Sequence, residues 1–429
     1  MTLTLSDIEA AQERLRGVVQ HTPLVYSRTL SQASGREVFL KLENLQTTGS
    51  FKLRGALNRL RLLKERGEGE RVVAASAGNH AQGVAFAASS LGIPATIVMP
   101  LGASISKQMA TAGYGAEVIL HGRDLSEALE KARELVAQGY IFIHPYDDPE
   151  VMAGQGTLGL EILEDLPGVD TVVIPVGGGG LAAGTALALK SRKPGVAVIG
   201  VQTSQVPSLA VALKRGGPTP EPARPTLADG IQVPLVGSRT FPILQQYLQE
   251  VALVREMEIA QALLFLLEGK KVLAEGAGAV TTAGFLFPLK SRDLGDKVVL
   301  VVSGGNIDIP VLERVLPRAL LESRRLWSLR VTLGDRPGAL GRLATLLGEE
   351  GANILHLFHD RLAPELPLDY TRVELSLETR DQEHGEAVLR ALRDAGYQVE
   401  EKPQIKLTAG SSQFSISKAK KTGDRKLPL

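Results

Sequence analysis

The chain has no cysteine. Disulfides, thiolate metal sites and a cysteine nucleophile are excluded at once. It also lacks any surplus of charge: 48 Lys and Arg face 47 Asp and Glu in 429 residues, a net charge of +1. That gives no basic footprint for a nucleic-acid partner and no acidic solvating tail. The opening stretch, MTLTLSDIEAAQERLRG, has no basic segment followed by an apolar core, so no signal peptide is expected. One long run without charge, Thr171 to Leu189, holds Pro175 and four consecutive glycines. A lipid-exposed helix would not choose them, so no membrane partner is expected. A soluble, cytoplasmic protein is the expectation.

What is present is an ordinary 44% of hydrophobic residues and an excess of glycine. The first is too high for a disordered chain. The 45 glycines are about one and a half times the usual share, so backbone must come close to something in many places. At about 150 residues per domain, the length predicts two or three domains.

Ser6-Asp7-Ile8-Glu9 reads as a capping box, with Ile8, Ala11, Leu15 and Val18 at helical spacing behind it. From about residue 36 to 320, short β-branched runs alternate with helical patterns. The expected strands are Val38–Leu42, Val72–Ala75, Thr96–Met99, Glu117–Leu120, Ile141–His144, Thr171–Val176, Ala197–Val201 and Lys297–Val302. Such alternation predicts α/β architecture, parallel sheet with helices on both faces, and the length predicts two lobes. After Arg325 the order becomes βαββαβ in about 75 residues, the ferredoxin-like plan. The Ser/Lys-rich end is expected to be disordered.

Four stretches carry chemistry. Gly177-Gly178-Gly179-Gly180-Leu181 follows a strand and opens a helix. Unobstructed N–H groups there form a phosphate site, with a flexible turn as the plain alternative. In Ser50-Phe51-Lys52-Leu53-Arg54-Gly55-Ala56, Ser50 reads as a helix N-cap and Lys52 falls in the first turn. The helix dipole, the neighbouring Arg54 and burial would each lower the pKa of that lysine. A neutral amine is what Schiff-base chemistry needs, and a solvated surface lysine is the alternative. Ser76-Ala77-Gly78-Asn79-His80 suits a small polar ligand, or else Asn79 caps a helix. Ser303-Gly304-Gly305-Asn306 directly follows a strand, where such folds bind ligands, or is a simple turn.

Together SFKLRGA, SAGNHAQG, GGGGL and SGGN, in this order, resemble the fold-type II pyridoxal-phosphate enzymes of the tryptophan synthase β-like plan, most closely their threonine ammonia-lyases. The resemblance implies pyridoxal 5′-phosphate as cofactor and β-elimination with deamination of L-threonine to 2-oxobutanoate and ammonia. It implies that Lys52 is the Schiff-base lysine and removes the Cα proton, that Phe51 lies against the ring, and that Asn79 bonds the ring hydroxyl. Gly177, Gly178, Gly179, Gly180 and Leu181 would hold the phosphate, and Ser303 would face the pyridine nitrogen. Backbone around Ser76, Ala77, Gly78 and His80 would hold the substrate carboxylate, and Glu275 matches a family motif near the site. A neutral serine beside the pyridine makes a weaker electron sink than a carboxylate would, which favours prompt elimination. Serine racemases carry a second Ser where this chain has Ala77, so racemisation is disfavoured. The divalent-metal site of some relatives uses an acid where Gln202 stands here, and no metal is expected. A serine ammonia-lyase and a non-catalytic amino-acid-binding regulator remain rival readings.

Leu329 to Leu340 resembles an ACT domain. The implied effector is isoleucine or valine, bound near Asp335, Pro337, Gly338, Ala339, Leu340 and Asn353, with a purely oligomerising module as the alternative. The family resemblance implies a homotetramer. The expected boundaries are a catalytic domain at 1–325 with its smaller lobe at about 46–150, an ACT domain at 326–402, and a tail at 403–429. Two further patterns are set aside. Gly154-Gln155-Gly156-Thr157-Leu158-Gly159 matches a dinucleotide motif but starts about ten residues after its strand, so close helix packing is expected. His356 and His359 fall on a strand without a carboxylate pattern for a metal.

Overall fold

The computed structural model describes residues 3–362 and 365–401. The expected tail at 403–429 lies outside the described residues. The chain divides into two compact units, Met1–Ser323 and a second that begins at Arg324.

The first unit carries ten strands: β1 (Leu24–Tyr26), β2 (Glu37–Leu42), β3 (Val72–Ala75), β4 (Ala95–Met99), β5 (Glu117–Leu120), β6 (Ile141–Phe142), β7 (Thr171–Pro175), β8 (Ala197–Thr203), β9 (Glu250–Val254) and β10 (Lys297–Val302). They form two sheets. The larger has the order β1-β2-β10-β7-β8-β9, with only β1 antiparallel to its neighbour. The smaller, β5-β4-β3-β6, is parallel throughout. The central strands are buried along their length, as parallel strands with helices on both faces must be. Separate apolar clusters lie on the two sides of the larger sheet: Val298, Leu300 and Val302 point into one, and Val299 and Val301 into the other.

The first helix, Leu5–Leu15, is capped two residues earlier than the sequence suggested. Thr4 and Asp7 form the capping box, because the Thr4 hydroxyl and the Asp7 carboxylate each reach the other's backbone N–H. The Gly154 to Gly159 pattern sits inside the helix Pro149–Asp165. Its glycines let neighbouring helices touch backbone to backbone. A Cβ on Gly154 would stand 2.4 Å from the Arg54 carbonyl oxygen, and one on Gly156 would stand 2.9 Å from that of Gly184. Gln202 caps the helix Ser208–Arg215: its side-chain oxygen accepts from the N–H groups of Leu209 and Ala210, each at 3.0 Å.

One face of the helix Lys52–Glu65 is held by a buried ionic network. The Arg54 guanidinium, 1% exposed, binds Glu43 in two bonds of 2.8 Å and Glu161 in bonds of 2.6 and 2.9 Å. Lys41 adds contacts of 2.9 Å to Glu161 and 3.0 Å to Asp165. Burial alone would weaken the charge on Arg54, but the two carboxylates overcome it and raise its pKa.

The second unit is one antiparallel sheet of β11 (Leu326–Gly334), β12 (Asn353–Asp360), β13 (Tyr370–Glu378) and β14 (Gln398–Glu401), in the order β12-β13-β11-β14. Helices Ala339–Glu349 and Gln382–Asp394 complete the βαββαβ order. Alternate residues of β11 and β13 are buried, so one face packs on the core with Leu343, Leu347, Val388 and Leu392.

Candidate active site

Four loops leave the carboxyl ends of parallel strands, where such folds place ligands. From β2 the chain turns toward Lys52. From β3 comes Ser76–Asn79, from β7 Gly177–Gly180, and from β10 Ser303–Asn306. Hydrogen bonds tie three of them together. Phe51 N–H donates to the Ser303 carbonyl at 3.1 Å and Gly305 N–H to that of Gly49 at 2.9 Å, and Ser50 pairs with Gly304. The Asn306 amide donates to the Thr48 carbonyl and to the Asn79 side-chain oxygen, both at 2.8 Å.

Ser50 does not cap the helix. Phe51 stands at that position without a side-chain bond, and the buried Ser50 hydroxyl has no partner among the described residues. The Lys52 amine donates to the Pro145 carbonyl at 2.9 Å and lies 5.0 Å from the centre of the Phe51 ring. Burial pushes its pKa down to about 8, against an opposing pull from Glu275. Arg54 plays no part in that shift, because its charge is paired with Glu43 and Glu161.

Pro145 leads into the glycine loop. The next residue, Tyr146, lays its ring where a Cβ on Gly178 would be, 2.4 Å from the ring atoms, and its carbonyl 2.8 Å from where a Cβ on Gly180 would be. Gly179 has φ +99°, a left-handed conformation, and opens the helix Gly180–Arg192. The N–H groups of Gly177, Gly178 and Gly179 meet no backbone acceptor among the described residues. Those of Gly180 and Leu181 are open by helix geometry. A largely buried run of unpaired donors at a helix start fits a phosphate group.

The remaining residues fit the rest of pyridoxal phosphate. Asn79 donates one amide hydrogen to Glu275 at 2.6 Å and keeps a second for a ring hydroxyl. Ser303 is 2% exposed, and its hydroxyl has one long bond, 3.3 Å to the Ala277 carbonyl. Burial and Asp229 push the Glu275 carboxyl up to about 7, against Asn79, Lys107 and Lys52. The loop after β3 is more restricted than its sequence suggests. Ser76 N–H pairs with the Val98 carbonyl at 3.1 Å, and Gly78 N–H donates to the Ser76 hydroxyl at 3.2 Å. The N–H groups of Ala77, Asn79 and His80 are the ones left for an anion. The His80 ring faces away, 2.8 Å from the Ile143 carbonyl, and burial with nearby Lys52 lowers its pKa to about 3, so it is neutral. Pro145 and Tyr146 do not stand out in the sequence, because the bonds that join them to Lys52 and Leu235 span 93 and 89 residues of chain.

In the second unit, Asp335, Pro337, Gly338, Ala339 and Leu340 line a cavity of about 360 Å³ with His359 and Arg361. Arg361 donates to Asp335 at 2.7 Å. His359 lines this cavity, and its buried Nε2 has no partner among the described residues. Asn353 stands apart from the cavity lining, and its amide reaches Glu378 at 3.2 Å.

Residues 15–304 match the family model described as pyridoxal-phosphate dependent enzyme, and residues 327–396 match that of the ACT domain. The L-threonine ammonia-lyase of Thermotoga maritima is 50% identical over 398 residues, 92% of this chain and 99% of that protein. The solved threonine deaminase of T.th. is 40% identical with a TM-score of 0.68, over 71% of this chain and 99% of that one. Maize serine racemase is 31% identical with a TM-score of 0.71, over 76% of this chain and 100% of that one.

Proposed function

We propose a function on the premise that this chain belongs to the pyridoxal-phosphate dependent enzyme family: it is a lyase that deaminates L-threonine to 2-oxobutanoate and ammonia. The observation that carries this is the buried Lys52 amine, with a pKa near 8, bonded to the Pro145 carbonyl, whose neighbour Tyr146 packs on a glycine loop of unpaired N–H donors. When bound, pyridoxal phosphate supplies the electron sink that acidifies the substrate Cα–H and lets the β-hydroxyl depart as water. Lys52 would hold that cofactor covalently until substrate arrives. Its released amine then takes the Cα proton at Nζ, a task suited to a pKa near the working pH. The N–H groups of Ala77, Asn79 and His80 would hold the substrate carboxylate. Gly177 to Leu181 would hold the phosphate, Phe51 would lie against the ring, Asn79 would meet the ring hydroxyl and Ser303 the ring nitrogen. Ala77 puts no second acid or base at its position, which favours elimination over racemisation.

The test is keto-acid formation from L-threonine by the parent chain and by Lys52→Ala. The variant should lose both turnover and the borohydride-reducible link to the cofactor. Turnover that survives would refute the role of Lys52. Rates on L-serine beside those on L-threonine decide between the two hydroxy amino acids. The ACT domain suggests allosteric control, and the cavity at Asp335–Leu340 supports isoleucine or valine as the effector. A homotetramer in the cytoplasm completes this reading, and sedimentation of the purified chain checks the assembly.

A further inference from the structure

Beneath the glycine loop lies a second layer of contacts that the chemistry above does not use. Asp147 reaches residues 238–240 with its carboxylate. One oxygen accepts from the N–H groups of Arg239 at 2.9 Å and Thr240 at 3.3 Å. The other accepts from the N–H and hydroxyl of Ser238 at 3.2 and 3.1 Å. This places a negative charge at the start of the helix Thr240–Tyr247, where open N–H groups and the helix dipole favour it. Only glycine permits the approach: a Cβ on Gly237 would stand 2.3 Å from that carboxylate.

The anchored turn closes on one acceptor. Gly237 N–H at 3.0 Å and the Thr240 hydroxyl at 2.8 Å both donate to the Gly178 carbonyl. In a trans peptide the carbonyl and the following N–H point to opposite sides. Two donors on the Gly178 oxygen therefore fix the direction of the Gly179 N–H, away from the turn. Gly179 itself has no room to relax, since a Cβ there would stand 2.7 Å from the Thr240 hydroxyl oxygen and from Leu244. Glycines are the least restrained residues in a chain. A loop of four of them needs an external clamp to hold its donors ready.

We infer that Asp147 and Thr240 are positioning residues for phosphate binding: Asp147 fixes the 237–240 turn, and that turn, through Gly237 and Thr240, fixes the peptide that aims Gly179 N–H. The inference rests on reading Gly177 to Leu181 as the phosphate loop.

The experiment titrates the full-length chain, freed of cofactor, with pyridoxal 5′-phosphate and with unphosphorylated pyridoxal. The absorbance of the lysine-bound ring reports binding. The parent chain should prefer the phosphorylated form, and equal affinity for the two would overturn the loop reading itself. Thr240→Val and Asp147→Ala should each weaken the phosphorylated form about tenfold, the scale of a lost hydrogen bond near a charged ligand. Affinity for pyridoxal should stay within about twofold, because that ligand offers the loop only a neutral hydroxymethyl group in place of the charged phosphate. Thr240→Ser should keep the parent values. If the variants weaken both ligands equally, the residues are merely structural and the inference falls. It falls equally if the parent discriminates and the variants discriminate just as well. Should Asp147→Ala fail to fold, the Thr240→Val and Thr240→Ser pair decides alone.

Discussion

Replacing Gly154 by Ala tests whether backbone contact between helices sets the position of the reactive lysine. A Cβ there meets the Arg54 carbonyl oxygen at 2.4 Å and the Gly55 Cα at 2.7 Å, both backbone atoms of the Lys52 helix. Ordinary contact begins at 3.4 Å, so the shortfall against the carbonyl is 3.4 − 2.4 = 1.0 Å. Neither atom is the end of a flexible side chain, so one helix must move. Overpacking of this kind costs about 1–3 kcal/mol. The gain of about 1 kcal/mol for Ala over Gly in a helix offsets part of it. The net loss is about 0–2 kcal/mol, a fall of up to a few degrees in melting temperature. The catalytic effect should be larger. Arg54 lies two residues from Lys52, and misplacing a reactive group by about 1 Å can cost about a hundredfold in rate. Gly113→Ala is the control, because nothing lies within 4 Å of its Cβ position and its helix ends there. Thermal melting and keto-acid release from L-threonine measure both effects. A Gly154→Ala protein with the parent's melting temperature and turnover would refute the reasoning.

Arg54→Met leaves the buried Glu43 without its cation and Glu161 with Lys41 alone, and should cost about 3–5 kcal/mol, read from urea unfolding. Cofactor capture by the apo-chain should speed up as pH rises through about 8, because only the neutral Lys52 amine attacks; stopped-flow absorbance at several pH values checks it. The same lowered pKa makes the apo-chain gain stability between pH 8 and 10.5, where the unfolded lysine binds the extra proton. On the proposed reading of the second unit's cavity as an isoleucine site, Arg361→Ala, which removes the partner of Asp335, should raise several-fold the isoleucine concentration needed for a half-maximal effect on turnover, measured by dose–response.

The long central strands were legible because parallel sheet demands unbroken β-branched runs, and Val72–Ala75 and Lys297–Val302 fall where the pattern puts them. β1 and β9 were not. Both are edge strands, of three and five residues; β1 lies ahead of the strand–helix alternation that starts at about residue 36, and β9 follows the loop and short helix that interrupt it after Arg215. At the site, the lysine and the three glycine-bearing loops announce themselves because their chemistry is local in sequence. Asp147 and Thr240 do not, because each acts on backbone groups far along the chain, Asp147 on the N–H groups of residues 238–240 and Thr240 on the Gly178 carbonyl, 62 residues away. The capping error at Ser6 has the same root: Ser6 and Thr4 offer similar hydroxyls, and only the backbone conformation chooses between them.

The ionic cluster under the Lys52 helix also bears on how freely this sequence can change. Arg54, Glu43, Glu161 and Lys41 share their bonds, and losing Arg54 alone strands the Glu43 carboxylate out of reach of water. Neutral drift at these sites must then proceed by paired changes. A randomised library at position 54 alone should return arginine almost without exception, whereas one that varies 43, 54 and 161 together can find apolar solutions.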